Sequence, residues 1–187
     1  MLLQNEIIIL ENTRVRLEPV LSANDCEKVA SIALTETELL KYSPSSIHTK
    51  YDLLQYFEIA LKAKQQGTVY PFLIFDKSQK KYAGSTRFGN ISLQNQRLEI
   101  GWTWLGKAFQ GTGLNQNIKS LMLSYAFNDL NCERVEFKAD GRNMQSRRAM
   151  EKIGATYEGC LRSHTLMKDG FRRDTVYYSI LREEFLK

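Results

Sequence analysis

Residues 99–115 read EIGWTWLGKAFQGTGLN, an extended, aromatic-rich run that leads through a glycine-punctuated turn into a segment of different periodicity. Past the turn, Leu114, Ile118, Leu121, Met122 and Tyr125 recur at helical spacing, which predicts an amphipathic helix from Gly113 to Asn128. A strand, a glycine-rich turn and a helix start together make an anion site. The free backbone N–H groups and the positive end of the helix dipole can cradle a pyrophosphate, and glycine removes the Cβ that would obstruct its approach. A phosphate loop would require Gly-Lys-Ser/Thr here, and a dinucleotide fingerprint would require glycine where Gln116 stands, so both fail at identifiable positions.

Working outward, Arg14–Pro19 alternates Val15 and Leu17 with polar residues, predicting a half-buried strand ended by proline. Ser22 can cap a helix carrying Cys26, Val29, Ala30 and Ala33 on one face. A second helix carries Leu53, Leu54, Phe57, Ala60 and Leu61 and ends at Gly67. Residues 69–76, 82–93 and 97–105 are extended runs rich in aromatic and β-branched residues, read as an antiparallel meander. After the 113–128 helix come a strand at 134–139, a short helix from Asn143 to Ile153 stopped by Gly154, and two strands, 156–167 and 171–181, turning at Asp169 and Gly170. The order predicts a mixed α/β (α+β) sheet in a single domain over residues 1–187, with no repeat or linker.

The stretch from Gln110 to Asn115, following the strand 98–105, resembles the acyl-CoA motif of the GNAT acetyltransferase superfamily, Gln/Arg-x-x-Gly-x-Gly/Ala, with Asn115 replacing the last small residue. Asn143, Met144, Gln145 and Ser146, leading to Glu151, Lys152, Ile153 and Gly154, resemble the superfamily's Asn-x-x-Ser/Ala helix ending in Glu-Lys-x-Gly. Residues 158–162, Glu-Gly-Cys-Leu-Arg, resemble the branch containing the RimJ and RimL ribosomal-protein N-terminal acetyltransferases. The resemblance implies a mostly antiparallel sheet of about seven strands with flanking helices. Acetyl-CoA is then held as co-substrate between two splayed central strands. It implies N-acetyl transfer to a primary amine, either a protein N-terminal α-amine or a small molecule or antibiotic. A CoA-binding regulatory domain without catalysis is the alternative.

The same resemblance assigns roles. The backbone of Thr103, Trp104 and Leu105 would hold pantetheine and polarise the thioester carbonyl. Gln110, Gly111, Thr112, Gly113, Leu114 and Asn115 would bind the pyrophosphate, with Asn143 also on the cofactor side. On an uninterrupted strand Glu99, Gly101 and Thr103 share one face, with Ile100, Trp102 and Trp104 on the other, where the two indoles read as core packing; the resemblance implies that this strand carries a bulge and splays from the next. Glu99 matches the strand glutamate that serves as base in some members; the competing reading is a surface carboxylate paired with Arg97 or a cross-strand lysine. The tyrosine acid of many relatives is Met150 here, and Ser146, one turn earlier, is the matching hydroxyl, unless it only completes a cap with Asn143. His164, on a late strand, is a second candidate base, with an unperturbed pKa suited to that work. Arg142, Arg147 and Arg148 are positioned to reach an adenosine 3′-phosphate.

The formal charge of +5 favours anionic partners, yet apart from those arginines the charges alternate in sign, which argues against a nucleic-acid track. Cys26, Cys132 and Cys160 are far apart and lack metal-ligand spacing, so they read as reduced thiols and no metal site is expected. The run Ile7–Leu10 is too short for a signal segment and is flanked by Glu6 and Glu11. The expectation is a cytoplasmic monomer or homodimer with no membrane partner.

Overall fold

A computed structural model describes residues 5–185, and the ends of the expected 1–187 domain lie outside them. One eight-stranded sheet runs through these residues in the order β1-β2-β3-β4-β5-β6-β8-β7. The strands are β1 (Leu10–Glu11), β2 (Val15–Pro19), β3 (Tyr70–Asp76), β4 (Lys81–Ser92), β5 (Arg97–Leu105), β6 (Arg134–Asp140), β7 (Thr156–Leu166) and β8 (Arg172–Leu181). All neighbours are antiparallel except β5 and β6. The two-residue β1 is the strand the sequence pattern did not predict. No helix among the described residues is long and apolar enough to cross a membrane.

Local chemistry accounts for most boundaries. Ser22 with Asp25, and Thr49 with Asp52, form reciprocal capping boxes. The first opens a 3-10 turn (Ala23–Val29) that leads into α1 (Ala30–Thr35); the second opens α2 (Lys50–Gln65). Gly67 and Gly154, both at positive φ, follow α2 and α4 (Met144–Lys152) as stop residues. The amphipathic helix is α3 (Leu114–Ser124). Its last predicted turn widens into a π-type turn, Tyr125–Asp129, where the Leu130 amide donates to the Tyr125 carbonyl at 3.0 Å. A short α5 (Arg182–Phe185) follows β8.

Each sheet face has its own core. Leu98, Ile100, Ile118, Met122, Phe137 and Tyr178 pack on the α3 side, and Val29, Leu53, Phe57, Leu73 and Trp104 on the α1–α2 side. At the centre, β5 and β6 are paired only from Arg97–Glu99 to Arg134–Glu136. Past Glu99 the two strands continue with no further pairing, which leaves the β5 edge without a strand partner.

Candidate active site

The split has a visible cause in β5. Opposite β4, Ser85 pairs with Trp104 and Arg87 with Gly101, so Trp102 and Thr103 together face Thr86 alone. Trp102 sits at φ +50°, a conformation few bulky residues adopt. Such a bulge bends the strand and increases its twist, carrying β5 away from β6.

The bulge, which the family resemblance implied, breaks the alternation that an uninterrupted strand would have. Trp102 does not share the face of Ile100. Its ring lies 5.8 Å from the Arg87 guanidinium, which stacks at 4.1 Å on Tyr56 of α2, and Trp104 is buried in the α1–α2 core. Both indoles are therefore on the Glu99 side. Thr103 instead faces α3, where its Oγ1 meets Thr86 Oγ1 at 2.7 Å and accepts from Lys119 Nζ at 2.7 Å. One extra residue shifts every later side chain to the opposite face.

Lys119 carries no sequence signal of its own, because it is a lone lysine between the apolar positions of an amphipathic helix. It is 7% exposed, lies 5.9 Å from the Phe137 ring of β6, and forms no ion pair among the described residues. Burial lowers its pKa from the ordinary lysine range to about 7, with Glu99 pulling weakly the other way. Between about pH 7 and 10.5 the unfolded chain holds a proton that the native chain lacks. The native state is thus penalised fully below pH 7 and relieved as pH rises toward 10.5. Lys119→Met should accordingly raise unfolding stability at pH 6 by on the order of 2–4 kcal/mol, with the gain fading toward pH 10. Urea melts across that range would check it; a pH-independent difference would contradict the buried ammonium.

The helix entrance beside the split is bare. Gly111 (φ +72°) and Gly113 (φ +81°) hold the left-handed conformation, and a Cβ at either would meet nothing within 4 Å. No hydrogen bond to a described residue engages the amides from Gly111 to Gln116. The Gln110 side chain is tied to the Leu105 carbonyl at 2.8 Å and accepts from Gln145 Nε2 of α4 at 3.2 Å, so it braces the turn. Leu114 is fully buried, so only its backbone faces the entrance. Asn115 Oδ1 is buried with no partner among the described residues. Asn143 caps α4, accepting from the Ser146 amide at 3.0 Å, while Met150 is buried in the core.

Across the split, Glu99 is 5% exposed rather than on the surface. Asn90 Nδ2 donates to its carboxylate at 2.7 Å and Lys138 Nζ of β6 pairs with it at 2.8 Å, while Arg97 turns to Glu136. Tyr177 lies with its ring 5.0 Å from Lys138 Nζ and 6.1 Å from the His164 ring. His164 itself is exposed, its Nδ1 within 3.1 Å of Thr175 Oγ1. An open cleft of about 650 Å³ is lined in part by Arg97, Tyr177 and the two partners of Glu99, Asn90 and Lys138. Asn90 and Lys138 had no sequence signal, since each needs the sheet register to meet Glu99.

The sheet is thus opened at its centre, and a glycine-lined helix entrance with unengaged backbone amides follows the β5 strand. The chain belongs to the GNAT acetyltransferase family: the family model described as an acetyltransferase (GNAT) domain matches residues 14–156. It is 34% identical over 113 residues to YdaF of Bacillus subtilis (strain 168), provisionally named a ribosomal N-acetyltransferase; the match covers 60% of this chain and 59% of that protein. A solved structure from T. thermophilus, provisionally called an acetyltransferase, is 32% identical with a TM-score of 0.84, covering 95% of this chain and 91% of that one. RimL, a ribosomal L7/L12 alpha-N-protein acetyltransferase, matches in fold at 22% identity and TM-score 0.80, over 95% and 96% of the two chains.

Proposed function

We propose that this chain transfers the acetyl group of acetyl-CoA to a primary amine, with a protein N-terminal α-amine of ribosomal type as acceptor. The observation that carries this reading is a buried carboxylate, Glu99, where β5 and β6 part, together with a bare glycine entrance, suited to a pyrophosphate, that follows the other end of β5. The name of YdaF supports the choice of acceptor. Acetyl-CoA supplies the thioester. Glu99, held by Asn90 and Lys138, takes a proton from the incoming ammonium, directly or through water. The neutral nitrogen then attacks the thioester carbonyl, and an amide of the unpaired β5 edge stabilises the developing oxyanion. When the C–S bond breaks, the nitrogen's remaining surplus proton balances the departing thiolate, and Ser146 in the first turn of α4 hydrogen-bonds the sulfur.

Of the three arginines, Arg142 is committed to Asp140 at 2.7 Å and stacked 3.8 Å from Phe171, and Arg147 donates to Tyr178 Oη at 3.2 Å. Arg148 is exposed and forms no such bond to a described residue. Arg148→Ala should weaken CoA about tenfold, the scale of one charge-assisted hydrogen bond, and dephospho-CoA less than about twofold. Calorimetric titration of both ligands separates this from a general charge effect, which would weaken both alike.

The reading as a whole is tested by thiol release from acetyl-CoA against N-terminal peptides of ribosomal proteins, lysine side-chain peptides and small amines. Release with α-amine peptides supports it. Turnover confined to small amines would replace the acceptor, and CoA binding without release from any amine would leave a silent binding domain.

A further inference from the structure

On the Glu99 side of the sheet, Arg87 of β4 is 5% exposed and makes no ion pair among the described residues. Its guanidinium is stacked on Tyr56, and its Nη2 donates to the Tyr56 carbonyl at 3.2 Å, while its Nε has no partner among the described residues. Tyr56 Oη and Trp104 Nε1, in the core cluster on the same face, are likewise buried without partners among the described residues. All three orphaned groups are hydrogen-bond donors. A buried cation lacking a counter-charge is costly, and donors without acceptors add to that cost. Deficits of this kind are met by an anion with several lone pairs and no donor of its own, which describes a carboxylate.

Register places this cluster relative to the reaction. Arg87 pairs with Gly101 and Gly89 with Glu99, so Arg87 and Glu99 are diagonal neighbours on one face, with backbones roughly 7–8 Å apart. The glycines between them leave the strand surface low. A Cβ on Gly89 would fall 2.2 Å from the Trp102 ring, and one on Gly101 would fall 2.8 Å from the Glu99 carboxylate, so indole and carboxylate both lie down on bare backbone. Trp102, half-buried, covers the outer side of the guanidinium.

We propose that Arg87, with Tyr56 and Trp104, forms a carboxylate subsite for the acceptor, so that the preferred substrate is an amine that also bears a carboxylate. This rests on the acetyl-transfer reading above and narrows its acceptor. The carboxylate can come from an acidic side chain near a peptide N-terminus or from a free amino acid.

The test compares kcat/KM for matched acceptors: N-terminal peptides beginning Ala-Glu against Ala-Gln, and free amino acids against their amides. The whole chain should prefer the acidic member by at least about tenfold. Arg87→Gln should lower kcat/KM for the acidic member about tenfold more than for the neutral one. Tyr56→Phe, which removes a hydroxyl without a hydrogen bond, should keep the fold and shrink the preference severalfold. Because the only tryptophans are Trp102 and Trp104, their fluorescence should also report tighter binding of the Ala-Glu peptide in the presence of CoA, whether or not turnover occurs. Absence of any acidic preference in both rate and fluorescence overturns the subsite. So does an equal loss for both members in a folded Arg87→Gln, or, should that variant not fold, an unaltered preference in Tyr56→Phe. A preference shown only by free amino acids retains the subsite and removes the protein N-terminus as acceptor. Acetylation of N-terminal peptides regardless of acidity does the reverse.

Discussion

Gly113→Val should raise the dissociation constant for CoA by about a hundredfold or more, while circular dichroism shows the fold retained. Gly113 stands immediately before α3 at φ +81°, a conformation a β-branched residue adopts at a cost of about 1–2 kcal/mol. That strain is small beside the stability of a sheet this size, and a Cβ at Gly113 would meet nothing within 4 Å, so no internal clash is created. On the proposed reading, the open space is where the pyrophosphate lies to reach the unengaged amides of the turn. The side chain would fill it, or the backbone would rotate to relieve the φ strain and turn the amides away; both outcomes remove donors from the pyrophosphate. Calorimetry checks the affinity, and Gly113→Ala, with a smaller side chain and no branch, should fall between the two. Parental affinity in a folded Gly113→Val would place the phosphates elsewhere.

Glu99→Gln should slow acetyl transfer at neutral pH by roughly a hundredfold or more, the contribution expected of a general base. Glutamine keeps the shape and can still accept from Asn90, but it cannot take the ammonium proton. The rate should recover as pH rises and more acceptor arrives already deprotonated. α-Amines, with pKa near about 8, should recover earlier than lysine side chains near about 10.4. The substitution also strips Lys138 of its 2.8 Å partner, although Glu136 stands 3.8 Å from the same ammonium and can receive it. Rates should therefore be read well below the variant's own melting temperature. A parental kcat across neutral pH would make Glu99 a structural counter-ion for Lys138, and His164, joined to the same cluster through Tyr177, would be the next base to examine.

Much of the candidate site is legible one residue at a time. The entrance to α3 is made of backbone, and the glycines that permit its left-handed turn are visible as letters between a strand and a helix; hence the conformation of Gly111 and Gly113 follows from local chemistry alone. Ser22, Thr49, Gly67 and Gly154 also act within a few residues of themselves, although only the Thr49 cap carries no signal strong enough to stand out from the polar segment around it. Arg87, Asn90, Lys119 and Lys138 are missed for one common reason. Each is an ordinary residue until a strand or helix distant in sequence brings it a partner, and no spacing rule spans the separation between Lys119 and Thr103 or between Lys138 and Glu99.

The extended run 97–105, the glycine-rich turn and the helical period of 114–125 determined by themselves that a strand runs through a turn into an amphipathic helix. The order of elements around them determined a mixed sheet. The family resemblance implied a bulged, splayed strand, but tertiary structure decided at which residue the bulge falls and which face each side chain takes after it, because a bulge is defined by the register against β4 rather than by β5's own sequence. That single extra residue moved Trp102 and Trp104 to the Glu99 side and sent Thr103 toward Lys119. Burial completed the decision: desolvation, which depends on everything packed around a group, lowers the Lys119 pKa to about 7 and leaves Arg87 a cation without a counter-charge among the described residues.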